Sequence, residues 1–347
     1  MQKNFPIEKG RKIVDFRKKR LLIIGGTGTI GKNIVQAVMK ENPQIIKIFS
    51  RDEYKQQLLR HELGNNDKLH FIIGDIRDFD SLFAAMQDID YVFHLAAMKH
   101  VDTCEHNPYE AVRTNVYGTN NVIKAAISQN VKKVVFTSSD KAISPTNTYG
   151  ATKLIAERLI SSAEYGRTSG QTIFASVRFG NVMGSRGSVI PLFREQILVN
   201  KKITVTDKNM TRFMMSLNQA TQLTIKALKE AKGGEVFVLK MPVIKLGDLA
   251  NILIEEICEK YGIKSEEISV EVIGFRPGEK MYEELMTYDE SKEAWELSDM
   301  YIIPRGSNMG ERDSNNIKCN PGTYSSMSQE PLSVNEIRAL LEKEDLI

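Results

Sequence analysis

The sequence predicts an α/β protein: a doubly wound parallel sheet with a smaller C-terminal α/β lobe. Three observations carry that prediction. Short apolar runs alternate with helical patterns through the first half of the chain. A glycine-rich turn joins the first run to the first helix. The 347 residues, 41% hydrophobic and 26% charged, exceed one ordinary domain and hold enough apolar material for a sizeable core.

Arg20–Ile24 is an apolar run closed by glycines, the pattern of a buried parallel strand. Ile30, Ile34, Val35 and Val38 share one face of a helix over Ile30–Met39. Ile45–Phe49 is the second strand, and His70–Ile73, Tyr91–His94, Lys133–Thr137 and Thr172–Val177 continue the series. Helical patterns at Ser81–Met86, Tyr109–Ser128 and Thr148–Ala163 lie between them. Past about Arg178 the alternation weakens. Val236–Lys240 is one further strand, with a helix at Leu246–Tyr261 after it. The polar stretch Arg305–Tyr324 predicts loop, and Val334–Leu346 a closing helix. The expected division is a basic extension over 1–19, a parallel-sheet unit over 20–180 and a second lobe over 181–347. Strand 236–240 returns toward the first unit.

The bulk numbers exclude several classes. Lys+Arg is 47 against Asp+Glu 44, and a charge of +3 over this length is no nucleic-acid footprint. Cys104, Cys258 and Cys319 are too few and too scattered for a disulfide framework or a zinc site, which points to a reducing, cytoplasmic setting. No apolar run approaches a membrane span, and the N-terminus lacks a signal-peptide core. Arg17-Lys18-Lys19-Arg20 reads as a solvated segment before the first strand. His94, His100 and His106 lack metal-ligand spacing, so no metal is expected. Met210–Met215 reads as core or pocket wall.

Gly25-Gly26-Thr27-Gly28-Thr29-Ile30-Gly31 stands between the first strand and the first helix. Gly25 permits the tight turn, Gly28 a close approach to a pyrophosphate, and Gly31 close helix–strand packing. The helix N-terminus offers amides and a positive dipole end to phosphates. This is a Rossmann-type dinucleotide site. The second strand ends in Ser50, Arg51 and Asp52, with Lys55 nearby. A hydroxyl and a guanidinium suit a 2′-phosphate, which points to NADP over NAD; Asp52 stands against that reading. Asp75 and Ile76 follow the third strand, where Asp75 accepts from adenine or caps a loop and Ile76 packs on the ring.

Ser139, Asp140 and Lys141 close the strand Lys133–Thr137, and Tyr149 and Lys153 follow at helical i,i+4 spacing. An ammonium beside a phenol lowers its pKa, which makes Tyr149 a base near neutral pH. Ser139 can bond the reacting hydroxyl. Asp140 and Lys141 exceed the needs of plain hydride transfer. A dehydratase uses such a pair to move one proton next to a ketone and another onto a departing hydroxyl.

The sequence resembles the extended short-chain dehydrogenases of surface-polysaccharide biosynthesis, and most closely the inverting UDP-N-acetylglucosamine 4,6-dehydratases. The segments GGTGTIG, FSRDE, GDIRD, HLAAMKHVDTCEHNPYEAVRTNVYGTNNV, SSDKAISPTNTYGATKLIAE, VRFGNVMGSRGSVIPLF, MTRFMMSL and GFRPGEK carry the resemblance, which spans Leu21 to about Leu285. It implies that Tyr149 takes the C4 hydroxyl proton as hydride leaves to a tightly bound, recycled NADP. Lys141 then removes the C5 proton, Asp140 helps protonate the departing C6 hydroxyl, and hydride returns to C6. Reprotonation of C5 from the opposite face would invert that centre. It further implies that Leu95, Lys99 and Val182 lie near the nicotinamide end. Lys99, Asn181, Ser188, Arg212 and Glu279 would then face a UDP-N-acetylhexosamine. Surface ion pairs are the alternative for Arg212 and Arg276. The family usually has Thr where Ser139 stands, and Ser keeps the hydroxyl. Relatives of the epimerase-named and retaining kinds often have Met in place of Tyr149, and the large retaining ones carry membrane spans, so the pattern points to the inverting soluble branch.

Two other functions compete. A UDP-sugar 4-epimerase needs Tyr149 without Asp140 or Lys141. An NADP-sensing regulatory module keeps the glycine loop and loses the Tyr/Lys pair. The apolar faces of Tyr109–Ser128 and Thr148–Ala163 predict a helix bundle across a homodimer or higher homo-oligomer.

Overall fold

The computed structural model describes residues 14–165, 171–185, 187–305 and 317–347. Most of the basic extension (1–13) and of the polar tail (306–316) lies outside the described residues. The first half alternates as the periodicity predicts: β1 (Arg20–Ile24), α1 (Thr29–Met39), β2 (Ile45–Ser50), α2 (Glu53–Leu63), β3 (Leu69–Ile73), α3 (Phe79–Ala85) and β4 (Tyr91–His94). Then come α4 (Val101–His106), α5 (Pro108–Ala111), a π-helical turn (Val112–Tyr117), α6 (Gly118–Ser128), β5 (Lys133–Thr137), α7 (Thr148–Ser162) and β6 (Ile173–Arg178).

The second half is richer than its sequence pattern. It holds β7 (Asn181–Val182), α8 (Val189–Glu195), β8 (Lys202–Val205), β9 (Thr211–Met215), α9 (Leu217–Glu230), β10 (Val236–Leu239), β11 (Val243–Lys245) and α10 (Leu246–Tyr261). β12 (Ser269–Val272), β13 (Glu284–Met286), α11 (Tyr288–Glu293), β14 (Trp295–Glu296), β15 (Met300–Ile303), β16 (Ile317–Lys318), β17 (Tyr324–Ser325) and α12 (Val334–Lys343) complete it. The loop expected over Arg305–Tyr324 therefore contains β16 and ends on β17.

Ten strands form the main sheet in the order β16-β14-β15-β10-β6-β5-β4-β1-β2-β3. The run from β10 to β3 is parallel, and β15, β14 and β16 add an antiparallel edge. Strand order reverses between β1 and β4, the crevice where such sheets bind ligands. Buried Leu21, Ile23, Leu22 and Ile24 alternate between two apolar layers, one on each face of the sheet. A third core lies away from the sheet, built by Phe193, Ile203, Leu249, Leu253 and Ile257 with Ile337 and Leu341 of α12.

α9 was not expected from the sequence. Ser216 and Gln219 cap it reciprocally, and Ala220, Leu223, Thr224, Ala227 and Leu228 make its buried stripe. The helix predicted over Tyr109–Ser128 starts at Pro108 and contains the π-helical turn. In that turn Asn115 faces inward and bonds Met98 through both N–H and C=O, and also Thr152.

Candidate active site

A cavity of about 1270 Å³ runs along the carboxyl ends of the parallel strands. Residues after β1, β2, β3, β4, β5 and β6 all line it, so the sheet gathers segments far apart in sequence.

The dinucleotide end is built from backbone. Gly25 has φ +82, and a Cβ there would sit 2.9 Å from the Ala96 nitrogen. A Cβ on Gly31 would lie 2.5 Å from the Gly25 carbonyl oxygen, so helix and turn touch directly. The N-cap of α1 is Gly28, which offers no side-chain cap, and the first turn holds no acid. Its amides are thus presented to a ligand, and Thr27, Gly28, Thr29 and Ile30 line the cavity. This arrangement fits a nicotinamide dinucleotide.

The neighbouring residues fall into distinct roles. Gln56 donates to the Ser50 hydroxyl (3.0 Å), the Ser50 carbonyl (3.1 Å) and the Ile72 carbonyl (2.8 Å), which ties β2 to β3. Arg51 is exposed at the rim, 3.8 Å from Asp75. Asp52 caps α2 by accepting from the Lys55 amide, and its carboxylate pairs with Lys55 Nζ at 2.6 Å. A helix cap explains that carboxylate without a ribose. Asp75 takes three bonds from Arg77, the geometry of the loop-capping alternative. Burial would raise its pKa, but Arg77 and Arg51 hold it below the usual carboxylate value. Ile76 is buried against Gly118, while Leu95 and Lys99 line the cavity beyond β4.

The turn that carries Ser139, Asp140 and Lys141 follows β5. Ser139 donates to Asp140 Oδ1 at 2.8 Å, and Asp140–Ala142 form one 3-10 turn. Asn147 caps α7 through the Gly150 amide at 2.8 Å, which places Tyr149 in the first turn and Lys153 one turn on. A Cβ on Gly150 would lie 2.1 Å from the Lys141 carbonyl oxygen, so α7 rests on that turn.

Burial and neighbouring charges act differently on Lys153, Tyr149 and Lys141. The Lys153 Nζ donates to the Thr137 carbonyl and lies 4.1 Å from the centre of the Phe136 ring. Burial pulls Lys153 down to about 7, against Glu157. Burial pushes the Tyr149 phenol up, and the Ser139 hydroxyl and Lys141 pull it part of the way back. Lys141, expected as a base, rests as a cation. Burial would lower its pKa, but Asp140 and Glu283 outweigh burial and hold the ammonium well above its ordinary value. Its Nζ is 3.1 Å from Asp140 Oδ1 and 3.3 Å from Glu283 Oε1.

Glu283 is the site residue that the sequence reading missed. It lines the cavity with 3% exposure, just before β13. Its amide donates to Ser326 Oγ at 3.0 Å, and its carbonyl accepts from the Ser326 amide at 2.9 Å. The GFRPGEK match stops at Lys280, and no periodicity marks the next residues.

At the substrate end the picture is mixed. Arg212 spends its guanidinium on the carbonyls of Thr211 (2.7 Å) and Lys280 (2.8 Å), with Nε 3.8 Å from Glu283. It clamps the segment that carries Glu283, rather than reaching freely toward a ligand. Asn181 and Val182 pair with Met214 and Met215 at the cavity wall. Ser188 precedes α8, its hydroxyl sealed from water and without a partner among the described residues. Glu279 accepts from the Arg276 amide at 3.1 Å, and both residues line the cavity. The segment 276–283 is pinned over residues 143–147, next to the turn at Ser139–Lys141. Thr146 and Asn147 donate to the Gly278 carbonyl, and Lys280 to the Ile143 carbonyl.

Residues 21–305 match the family described as polysaccharide biosynthesis protein. The chain belongs to that family. Among its relatives is the uncharacterized membrane protein MJ1061 of Methanocaldococcus jannaschii, 46% identical over 329 residues, 94% of this chain and 96% of the other. UDP-glucose 4-epimerase of Rickettsia prowazekii is 41% identical over 339 residues, with the same two coverages of 94% and 96%. The X-ray structure of Pen from Bacillus thuringiensis is 59% identical and superposes with a TM-score of 0.91, over 96% of this chain and 100% of Pen. No described helix of this family member is long and apolar enough to cross a membrane.

Proposed function

We propose that this family member is an NADP-dependent nucleotide-sugar 4,6-dehydratase acting on UDP-N-acetylglucosamine with inversion at C5. One observation carries the reading: Lys141, set between buried Asp140 and Glu283, shares a cavity with Tyr149. Hydride transfer alone needs no such cluster, whereas elimination must move two protons at neighbouring carbons.

Tyr149 would take the C4 hydroxyl proton, with Ser139 bonding the same oxygen. A bound nicotinamide accepts hydride and returns it, so the cofactor is recycled. The resulting ketone acidifies the C5 proton. Lys141 and Asp140 would handle the C5 proton and the departing C6 hydroxyl. Gly25, Thr27, Gly28, Thr29, Ile30 and Gly31 would cradle the pyrophosphate, and Ser50 and Arg51 the 2′-phosphate. Lys99 and Arg276 supply cationic groups at the cavity for a diphosphate.

A 4-epimerase is the second reading, favoured by the name of the Rickettsia relative. Incubation with UDP-N-acetylglucosamine separates the two. Loss of water supports the dehydratase, and a product of unchanged mass supports the epimerase. Proton spectra in heavy water report the C5 centre. Cofactor binding without turnover on any nucleotide sugar would favour a sensing module instead.

A further inference from the structure

We propose that Glu283 is the proton partner of Lys141: it receives the ammonium proton so that a free amine can act on the substrate. The inference rests on the dehydratase reading and deepens it.

Lys141 Nζ has two carboxylates in reach, and they are not equivalent. Asp140 Oδ1 accepts from Ser139 Oγ, from the Lys141 amide and from Lys141 Nζ, and Oδ2 also receives Nζ at 3.3 Å. Glu283 Oε1 has Nζ at 3.3 Å and Arg212 Nε at 3.8 Å. Its other oxygen, Oε2, is sealed from water and without a partner among the described residues. The Asp140 oxygens are already occupied by donors, while a bare buried oxygen is stabilised by gaining a proton. Ser326 holds the Glu283 backbone on both sides, so the carboxyl stays beside Nζ. Burial pushes Glu283 above the usual carboxylate range, Asp140 adds to this, and Lys141 and Arg212 oppose it.

The step balances. An N–H bond of Lys141 breaks and leaves its electron pair on nitrogen, and an O–H bond forms on Glu283. Ammonium and carboxylate become amine and carboxylic acid, with no change in the pair's net charge and no redox. Substrate filling the cavity favours this direction, because lost water weakens an ion pair more than a neutral pair. The amine then takes the C5 proton. The carboxylic proton leaves with the C6 hydroxyl as water, Asp140 helping by orienting that hydroxyl, which restores ammonium and carboxylate.

The test is the pH dependence of kcat and KM for water loss from UDP-N-acetylglucosamine, in wild type, Glu283→Gln and Glu283→Asp. Thermal melting establishes that each variant is folded. Glu283→Gln is expected to keep KM within about threefold while kcat falls about 100-fold at neutral pH. Between about pH 7 and 9 its kcat, taken as a ratio to wild type at each pH so that the common Tyr149 titration cancels, rises about tenfold per unit, because solvent base must remove the Lys141 proton. The ratio of Glu283→Asp to wild type stays constant over that range. A constant ratio for Glu283→Gln, or a wild-type kcat in that variant, overturns the proposal. If Glu283→Gln does not fold, Glu283→Asp decides: a constant ratio supports the proposal and a rising one overturns it. A wild type that turns the sugar over without losing water overturns the dehydratase reading itself, and the proton step with it.

Discussion

Lys153 lies over the Phe136 ring, its Nζ 4.1 Å from the ring centroid, and donates to the Thr137 carbonyl. Burial lowers its pKa from 10.5 to about 7. The unfolded chain keeps that proton up to the ordinary lysine value, and the folded chain releases it near 7. Between those limits the unfolded state binds more protons, so stability rises with pH. Without cofactor, the Tm of the wild type should climb more steeply between about pH 7 and 9 than that of Lys153→Met. Equal slopes would show that the ammonium is not desolvated.

Arg51 should separate the two cofactors. It stands exposed at the rim beside Asp75, while Asp52 is occupied as a helix cap. A hydrogen bond to a charged group contributes about 1.5–3 kcal/mol. Arg51→Ala is therefore expected to weaken NADP about ten- to 100-fold and NAD by less than about twofold. Paired titrations measure both. A wild type that binds NAD as tightly as NADP removes the 2′-phosphate assignment.

Arg178 is fully buried and bonds Glu157 through Nε (3.0 Å) and Nη2 (2.6 Å), and Glu290 through Nη1 (2.8 Å). Arg178→Met would strand the Glu157 carboxylate in the interior, while Glu290 keeps Arg305, at a cost of about 3–5 kcal/mol in chemical denaturation. Glu157 adds a pH signature. Burial would raise its pKa, but Arg178 holds it below the ordinary 4.5. Its stabilisation is present above that value and is lost as pH falls through the folded pKa. A denaturation midpoint unchanged by Arg178→Met would refute the account.

The homo-oligomer expected from the sequence would meet on the outer face of α7 and of the turn before α6. Ile155 of α7 is 48% exposed and Tyr117, the last residue of the π-helical turn, is 60% exposed. Sedimentation at micromolar concentration should give at least a dimer mass, and Ile155→Glu should shift it toward monomer. A monomeric wild type refutes the bundle.

The parallel half of the fold was legible because each strand there is a short apolar run and each helix an apolar stripe. Leu21 to Ile24 and the face of Ile34, Val35 and Val38 are examples. The site residues after β1, β2 and β5 were legible for a related reason: a strand end followed by a helix start fixes where a side chain goes. Glu283 had no such frame. It lies in an irregular segment, and its role comes from contact with Lys141, which no local pattern encodes. α9 was legible in principle through its Ser216/Gln219 box, but Thr221 and Thr224 blur its apolar stripe. The charge states were the least legible, because burial and neighbours distant in sequence set them together. The sequence suggests a phenol lowered by Lys153, whereas desolvation pushes the Tyr149 phenol up and Ser139 and Lys141 oppose it.

The pinning of residues 276–283 over the turn at Ser139–Lys141 has a consequence for the order in which the cavity is assembled. Synthesis delivers the glycine turn, Lys141 and Tyr149 early, and Glu283 and Ser326 much later. A nascent chain that has completed β6 already holds the glycine turn, yet Lys141 gains its second carboxylate neighbour only after Glu283 and then Ser326 have emerged and paired. The two walls of one cavity are thus separated in time by more than a hundred residues of synthesis.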